Sequence, residues 1–147
     1  MNPLKLPPFW FLLAVAAQFG LNWFTPQNAS GWGWYAVGYL LLALGMFLVL
    51  GAWMSFRIHD TPICPFKQPT HLITDGVFRF SRNPIYLGQA FMLLGLAALH
   101  GAWVTLLPIP LLIAILHVGF IRPEERILSQ QCGAEFATYR SRVRAWL

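Results

Sequence analysis

Two short polar stretches in an otherwise apolar chain carry the side chains best suited to chemistry. The first is Ser81-Arg82-Asn83-Pro84-Ile85-Tyr86-Leu87-Gly88. A residue before proline is biased away from the helical region, so the chain should turn at Asn83 and then enter a helix. That entry bunches Arg82, Asn83 and Tyr86 around a helix N-terminus. Free N–H groups and a partial positive charge suit such a terminus to a carboxylate or a phosphate. The second stretch is Arg122-Pro123-Glu124-Glu125-Arg126, whose carboxylates could take the hydroxyls or the ammonium of a polar ligand. Each stretch also has a plainer reading. One is a helix start with a snorkelling arginine; the other is an acidic first turn favoured by the helix dipole.

A third stretch, residues 69–78, places His71 near the same face, beside the β-prone Leu72, Ile73 and Thr74. An extended strand there would expose backbone groups able to read a purine edge; the plain alternative is a covering loop. The other histidines offer less. His100 and His117 fall near opposite ends of one helix, which does not make a bis-histidine haem site. No spacing of His, Cys and Glu resembles a zinc site, so no metal is expected. There is no dinucleotide fingerprint, phosphate loop or nucleophile elbow.

The elements that must position these residues follow from composition and hydropathy. Hydrophobic residues make up 57% of 147 and charged residues 10%, against roughly 25% charged in a soluble domain. A soluble chain of this length could not hide so much apolar surface. The net charge of +5 does not imply nucleic acid, because the basic residues sit in the gaps between apolar runs and towards the C-terminus. Cys64 and Cys132 are far apart and in no CxxC arrangement, so free thiols are expected.

Four apolar blocks stand out, at residues 6–24, 32–53, 85–99 and 102–121. A spanning helix needs about 20 residues; the third block is short even if it reaches back to Pro84, and could span only through a thin or protein-covered path. The first block resembles a cleavable signal only weakly. Its apolar run before Ala14-Val15-Ala16 is shorter than the usual ~7–15 residues, so a retained helix is expected. Lys and Arg lie before helix one, between helices two and three, and after helix four, which predicts both termini inside the cell. An inner bacterial membrane is the expected location. His100-Gly101 leaves almost no loop, Pro108 and Pro110 should kink helix four, and Pro123 should restart the chain. Leu128, Cys132, Phe136, Tyr139 and Val143 make one apolar stripe on a final surface helix, which Gly133 could break.

The expected fold is therefore all-α. It is an integral membrane helical bundle of four transmembrane helices, with a tight hairpin between helices three and four and a C-terminal interfacial helix. It forms one domain over 1–147, with an N-terminal helical hairpin at 1–54 and the chemistry in 55–147.

Roughly residues 60–147 resemble the isoprenylcysteine carboxyl methyltransferase family and its relative, the phospholipid N-methyltransferases. The matching features are Gly76-Val77-Phe78, then Arg82-Asn83-Pro84-Ile85-Tyr86-Leu87-Gly88, an apolar hairpin, and the tail from Glu124 to Val143. The resemblance implies S-adenosylmethionine as methyl donor, bound at the cytoplasmic face without a dinucleotide-binding domain. It implies donor contacts from His71, Leu72 and Ile73, from Gly76 and Phe78 in the first motif, and from Tyr86 and Glu124. Asn83 stands where the eukaryotic carboxyl methyltransferases have histidine. Arg122 lies near an arginine linked with substrate and catalysis, at a different local spacing. Arg82, Asn83 and Glu125 join the candidate donor-binding set, and Arg122 is the candidate catalytic residue. The expected acceptor is lipophilic or small, a carboxylate, amine or thiol reached through the lipid bilayer. The alternative is a non-enzymatic membrane subunit or scaffold whose polar face docks a partner.

Overall fold

The computed structural model describes residues 3–25, 31–59 and 72–147. Five helices organise it: α1 (Pro7–Trp23), α2 (Trp32–Ile58), α3 (Pro84–His100), α4 (Pro108–Leu116) and α5 (Arg122–Arg142). Short 3-10 turns precede α1, α3 and α4, and a π turn, His117–Ile121, joins α4 to α5. Among the described residues there is no strand, and residues 72–74 lie outside any helix or ladder. The four apolar blocks all become helix, but among the described residues only Trp32–Ile58 and the continuous stretch Trp103–Arg142 are long and apolar enough to cross a bilayer.

α2 and α3 make the most extensive helix–helix contact. Glycines let the two backbones approach. A Cβ on Gly45 would lie 2.6 Å from the Gly88 carbonyl oxygen, and one on Gly95 would lie 2.7 Å from that of Gly38. Gly38 and Gly45 are one heptad apart, as are Gly88 and Gly95, so antiparallel helices meet at two matched levels. Small residues at such positions are the usual route to tight packing where the solvent is lipid. The outer face of α2 stays apolar and exposed, with Tyr39, Leu40 and Phe47 uncovered.

α3 separates two apolar clusters. Tyr86, Leu93 and Ala97 pack with Ala14, Leu112, Leu116 and Ile121 on one side. Leu87 packs with Leu48, Ala52, Ile73, Val77 and Phe78 on the other. Gln18 of α1, fully buried, ties the first side together: its Nε2 donates to the carbonyls of Leu93 at 3.0 Å and Thr105 at 2.8 Å. Gly101 then closes α3 in the left-handed region, with φ of 69°, and donates to the Ala97 carbonyl at 3.1 Å.

The prolines act differently from the sequence expectation. Pro108 occupies the first turn of α4, where no N–H is needed, so it starts that helix instead of kinking it. Pro123 does not restart the chain. The helix runs through it, and the π turn lies just before it. Proline cannot donate to the carbonyl four residues back, and the wider turn accommodates the loss; the Arg122 N–H reaches back to the His117 carbonyl. The real break comes at Gly133, with φ of 41° and ψ of −111°. The second half of α5 folds back from there, burying Phe136 and Tyr139 of the expected stripe.

Candidate functional site

The loop entering α3 and the start of α5 meet side chain to side chain. Arg82 donates through Nε to Glu125 Oε1 at 2.9 Å, and its Nη2 reaches the same oxygen. Four residues along, where α3 has begun, Tyr86 donates its hydroxyl hydrogen to Glu124 Oε1 at 2.6 Å. Adjacent glutamates thus bind an arginine and a tyrosine four residues apart in sequence. Arg82 lies just before α3 and Tyr86 in its first turn, and their partners are neighbours in sequence, so the two pairs form side by side. The Arg82–Glu125 pair is largely withdrawn from solvent, at 8% and 16% side-chain exposure.

Burial sets the electrostatics. It pushes the Glu124 carboxyl up to about 7; the Tyr86 hydrogen bond opposes that rise and the neighbouring Glu125 charge adds to it. Glu124 lies beyond the fourth apolar block, which ends at residue 121. Near neutral pH it is therefore poised between charged and neutral forms. Tyr139 is raised to about 12 by burial, against the pull of Arg82.

The second half of α5 and the residues after it close over the α3 entry. Tyr139 donates its hydroxyl hydrogen to the Phe78 carbonyl at 2.7 Å. Asn83 Nδ2 donates to the Ala145 carbonyl at 2.9 Å, the Ser81 hydroxyl donates to the same oxygen, and the Arg82 backbone N–H donates to the Arg144 carbonyl at 3.0 Å. Arg82 Nη1 adds bonds to the Val143 and Arg140 carbonyls. Trp146 lies against both apolar clusters, its indole N–H towards His117 Nδ1 at 3.4 Å.

Of the residues singled out from sequence, Arg82, Asn83, Tyr86, Glu124 and Glu125 come together. Gly76 opens the preceding 3-10 turn with φ of 55°, which favours glycine, and a Cβ there would press on Ser55 Oγ at 3.3 Å. Ile73 and Phe78 are core residues, with Phe78 edge-on to Phe56, so their side chains serve packing. Leu72 is half-buried beside them. His71 and Cys64 lie outside the described residues; Cys132 is a free thiol. Arg122 is exposed, and among the described residues it contributes no contact to the cluster. Sequence reasoning missed the backbone carbonyls of residues 140–145 and the seat of Trp146. Carbonyls leave no side-chain signature, and Trp146 falls on no apolar periodicity. An apolar cleft of about 160 Å³, lined by Trp34, Leu41, Trp103 and Leu106 among others, lies at the opposite end of α3 from Tyr86. No group of three or more His, Cys, Asp or Glu that could hold a metal occurs among the described residues.

Comparison with known proteins brings in a family. Residues 34–135 match the family model for phospholipid methyltransferases. The chain is 30% identical over 117 residues to the cobalt-zinc-cadmium resistance protein CzcN of Cupriavidus metallidurans. That match takes in 80% of this chain but 53% of the relative, so the chain spans about half of that protein's length. No solved structure matches.

Proposed function

Because the chain belongs to the phospholipid methyltransferase family, we propose that it transfers a methyl group from S-adenosylmethionine to a lipophilic or small acceptor at the inner end of α3. The observation that carries this reading is the paired contact of Arg82 with Glu125 and Tyr86 with Glu124. It joins the two sequence motifs in one buried polar cluster at the edge of an apolar bundle.

The residues present fit such a donor. A zwitterionic, sulfonium-bearing ligand needs hydrogen-bond donors for its carboxylate and anions for its cationic groups. Arg82 and Asn83 supply the donors; the carbonyl oxygens they now hold stand where carboxylate oxygens could sit. Glu124 and Glu125 supply the anions. When bound, S-adenosylmethionine supplies an activated methyl group on a cationic sulfur. The chain's part is mainly to align the reactants and exclude water. Glu124 has a further capacity. A carboxyl titrating near 7 can take the proton that an amine or thiol acceptor must lose, and a carboxylate acceptor needs no such help. Tyr86 orients that carboxylate and shares its proton.

Under this reading the four apolar segments cross the membrane with both termini on the cytoplasmic side, in a bacterial inner membrane. The polar cluster then opens to the cytoplasm, and the acceptor comes through the bilayer. The test is incubation of the purified protein in lipid vesicles with methyl-labelled S-adenosylmethionine. Label appearing in a lipid-extractable or small-molecule product supports the reading. Label that never leaves the donor, across vesicles offering amine, carboxylate and thiol acceptors, contradicts it.

A further inference from the structure

Arg82 and Asn83 do not wait with open donors. Arg82 spends Nε and Nη2 on Glu125 and Nη1 on the carbonyls of Val143 and Arg140. Its backbone N–H is taken by Arg144, and the Asn83 amide by Ala145. Every one of these contacts to residues 143–145 uses a backbone carbonyl of the chain's own C-terminal segment as acceptor. α5 ends at Arg142, and the capping Val143 is already extended, with φ of −121° and ψ of 134°. The segment beyond therefore lies across the α3 entry as a strap, outside any helix ladder. Its one large side-chain anchor is Trp146, half-buried in the seam between the two apolar clusters and directed at His117.

We propose that residues 143–147 form an autoinhibitory strap, latched by Trp146, which occupies the Arg82 and Asn83 donors and must lift before the methyl donor can use them. The proposal rests on the methyl-donor reading of this site. A carboxylate is a stronger acceptor than a neutral carbonyl and can displace it from a guanidinium. The strap is built to be displaced. Its contacts to Arg82 and Asn83 are through neutral carbonyls, and four of its five residues, all but Trp146, bring no aromatic anchor. A closed form lowers apparent donor affinity by the fraction of molecules that are open.

The experiment follows strap release and donor affinity together. Arg142 and Arg144 are exposed, so trypsin can cut beside the strap once it lifts, and intact mass reads the loss of the terminal residues. Cleavage at these arginines in the unaltered protein should run several-fold faster with S-adenosylmethionine present. Trp146→Ala, which keeps the strap backbone but removes the latch, should tighten donor binding about tenfold if the open form is a minor state. A chain truncated after Arg142 should bind at least as tightly as that variant. Donor binding that leaves cleavage there unchanged or slower overturns the strap, as does Trp146→Ala with unchanged or weaker affinity. If neither the full chain nor Trp146→Ala binds the donor, the methyl-donor reading falls and the strap falls with it.

Discussion

The Tyr86 hydroxyl lies 2.6 Å from Glu124 Oε1, joining the start of α3 to the start of α5 across 38 positions of sequence. This bond fixes a carboxylate that would otherwise turn freely in a half-buried setting. It also holds the Glu124 carboxyl below the value that burial alone would give it. Tyr86→Phe keeps the ring in its apolar cluster and removes only the hydroxyl. The midpoint pH of S-adenosylmethionine binding, followed by calorimetry, should then move upwards, with affinity at pH 7 falling roughly tenfold, as for the loss of one charge-assisted hydrogen bond. An unmoved midpoint would show that the bond does not govern the carboxylate.

Glu124→Gln gives a stability signature with a definite sign. The folded-state carboxyl titrates near 7, above its ordinary value of 4.5. Between those values the folded protein holds a proton that the unfolded chain has lost. Stability therefore falls as pH climbs through that window, and the full penalty stands above about 7. An amide cannot ionise and escapes the penalty. The variant should unfold at a higher temperature than the parent at pH 8, and the gap should close towards pH 5. The same substitution should weaken binding of a cationic donor most at alkaline pH.

Arg82 bridges two partners, and lysine cannot copy it. A single ammonium lacks the planar fork that meets Glu125 with one edge and the Val143 and Arg140 carbonyls with the other. Arg82→Lys should retain part of the pairing with Glu125 but lose the carbonyl contacts, so trypsin should cut at Arg142 faster without any ligand. A double-mutant cycle of Arg82→Ala with Glu125→Gln should show a coupling of about 0.5–3 kcal/mol in unfolding free energy. Additive effects would mean that the pair contributes nothing to holding the two motifs together.

The α2–α3 seam predicts a contrast among glycines. A methyl at Gly45 would press on the Gly88 carbonyl oxygen at 2.6 Å and on Met92 Cγ at 2.7 Å. Backbone cannot yield as a side-chain tip can, so Gly45→Ala should cost about 1–3 kcal/mol. A methyl added at Gly20 would meet nothing within 4 Å, and the residue lies inside α1, so Gly20→Ala should be neutral or stabilising. Thermal unfolding in detergent, read by circular dichroism, separates the two.

Hydropathy made the helices legible, and motif spacing made half of the cluster legible. The apolar block at 85–99 became α3 with Pro84 as its first residue, because proline's fixed φ and missing N–H suit that position. Arg82, Tyr86, Glu124 and Glu125 could be paired by side because each carries its chemistry in its side chain. The passage of the chain from α4 into α5 was not legible. A proline within a helical pattern usually signals a break, and at Pro123 a π turn absorbs it, whereas the break at Gly133 falls where the glycine suggested it. The glycine seam was in principle readable: Gly38, Gly45, Gly88 and Gly95 repeat at heptad spacing. Its partner helix was not, because spacing within one helix says nothing about which neighbour faces it. The strap left no trace, since its contacts run through main-chain oxygens that every residue possesses.

The most direct measurement is the affinity of the purified, vesicle-embedded protein for S-adenosylmethionine, taken at pH 7.5 beside the Glu124→Ala variant. Saturable binding by the parent, weakened at least tenfold in a variant that still folds, is the predicted result, tenfold being about 1.4 kcal/mol of lost interaction. Equal binding by both proteins, or none by a folded parent, would contradict the assignment of this cluster as the methyl-donor site.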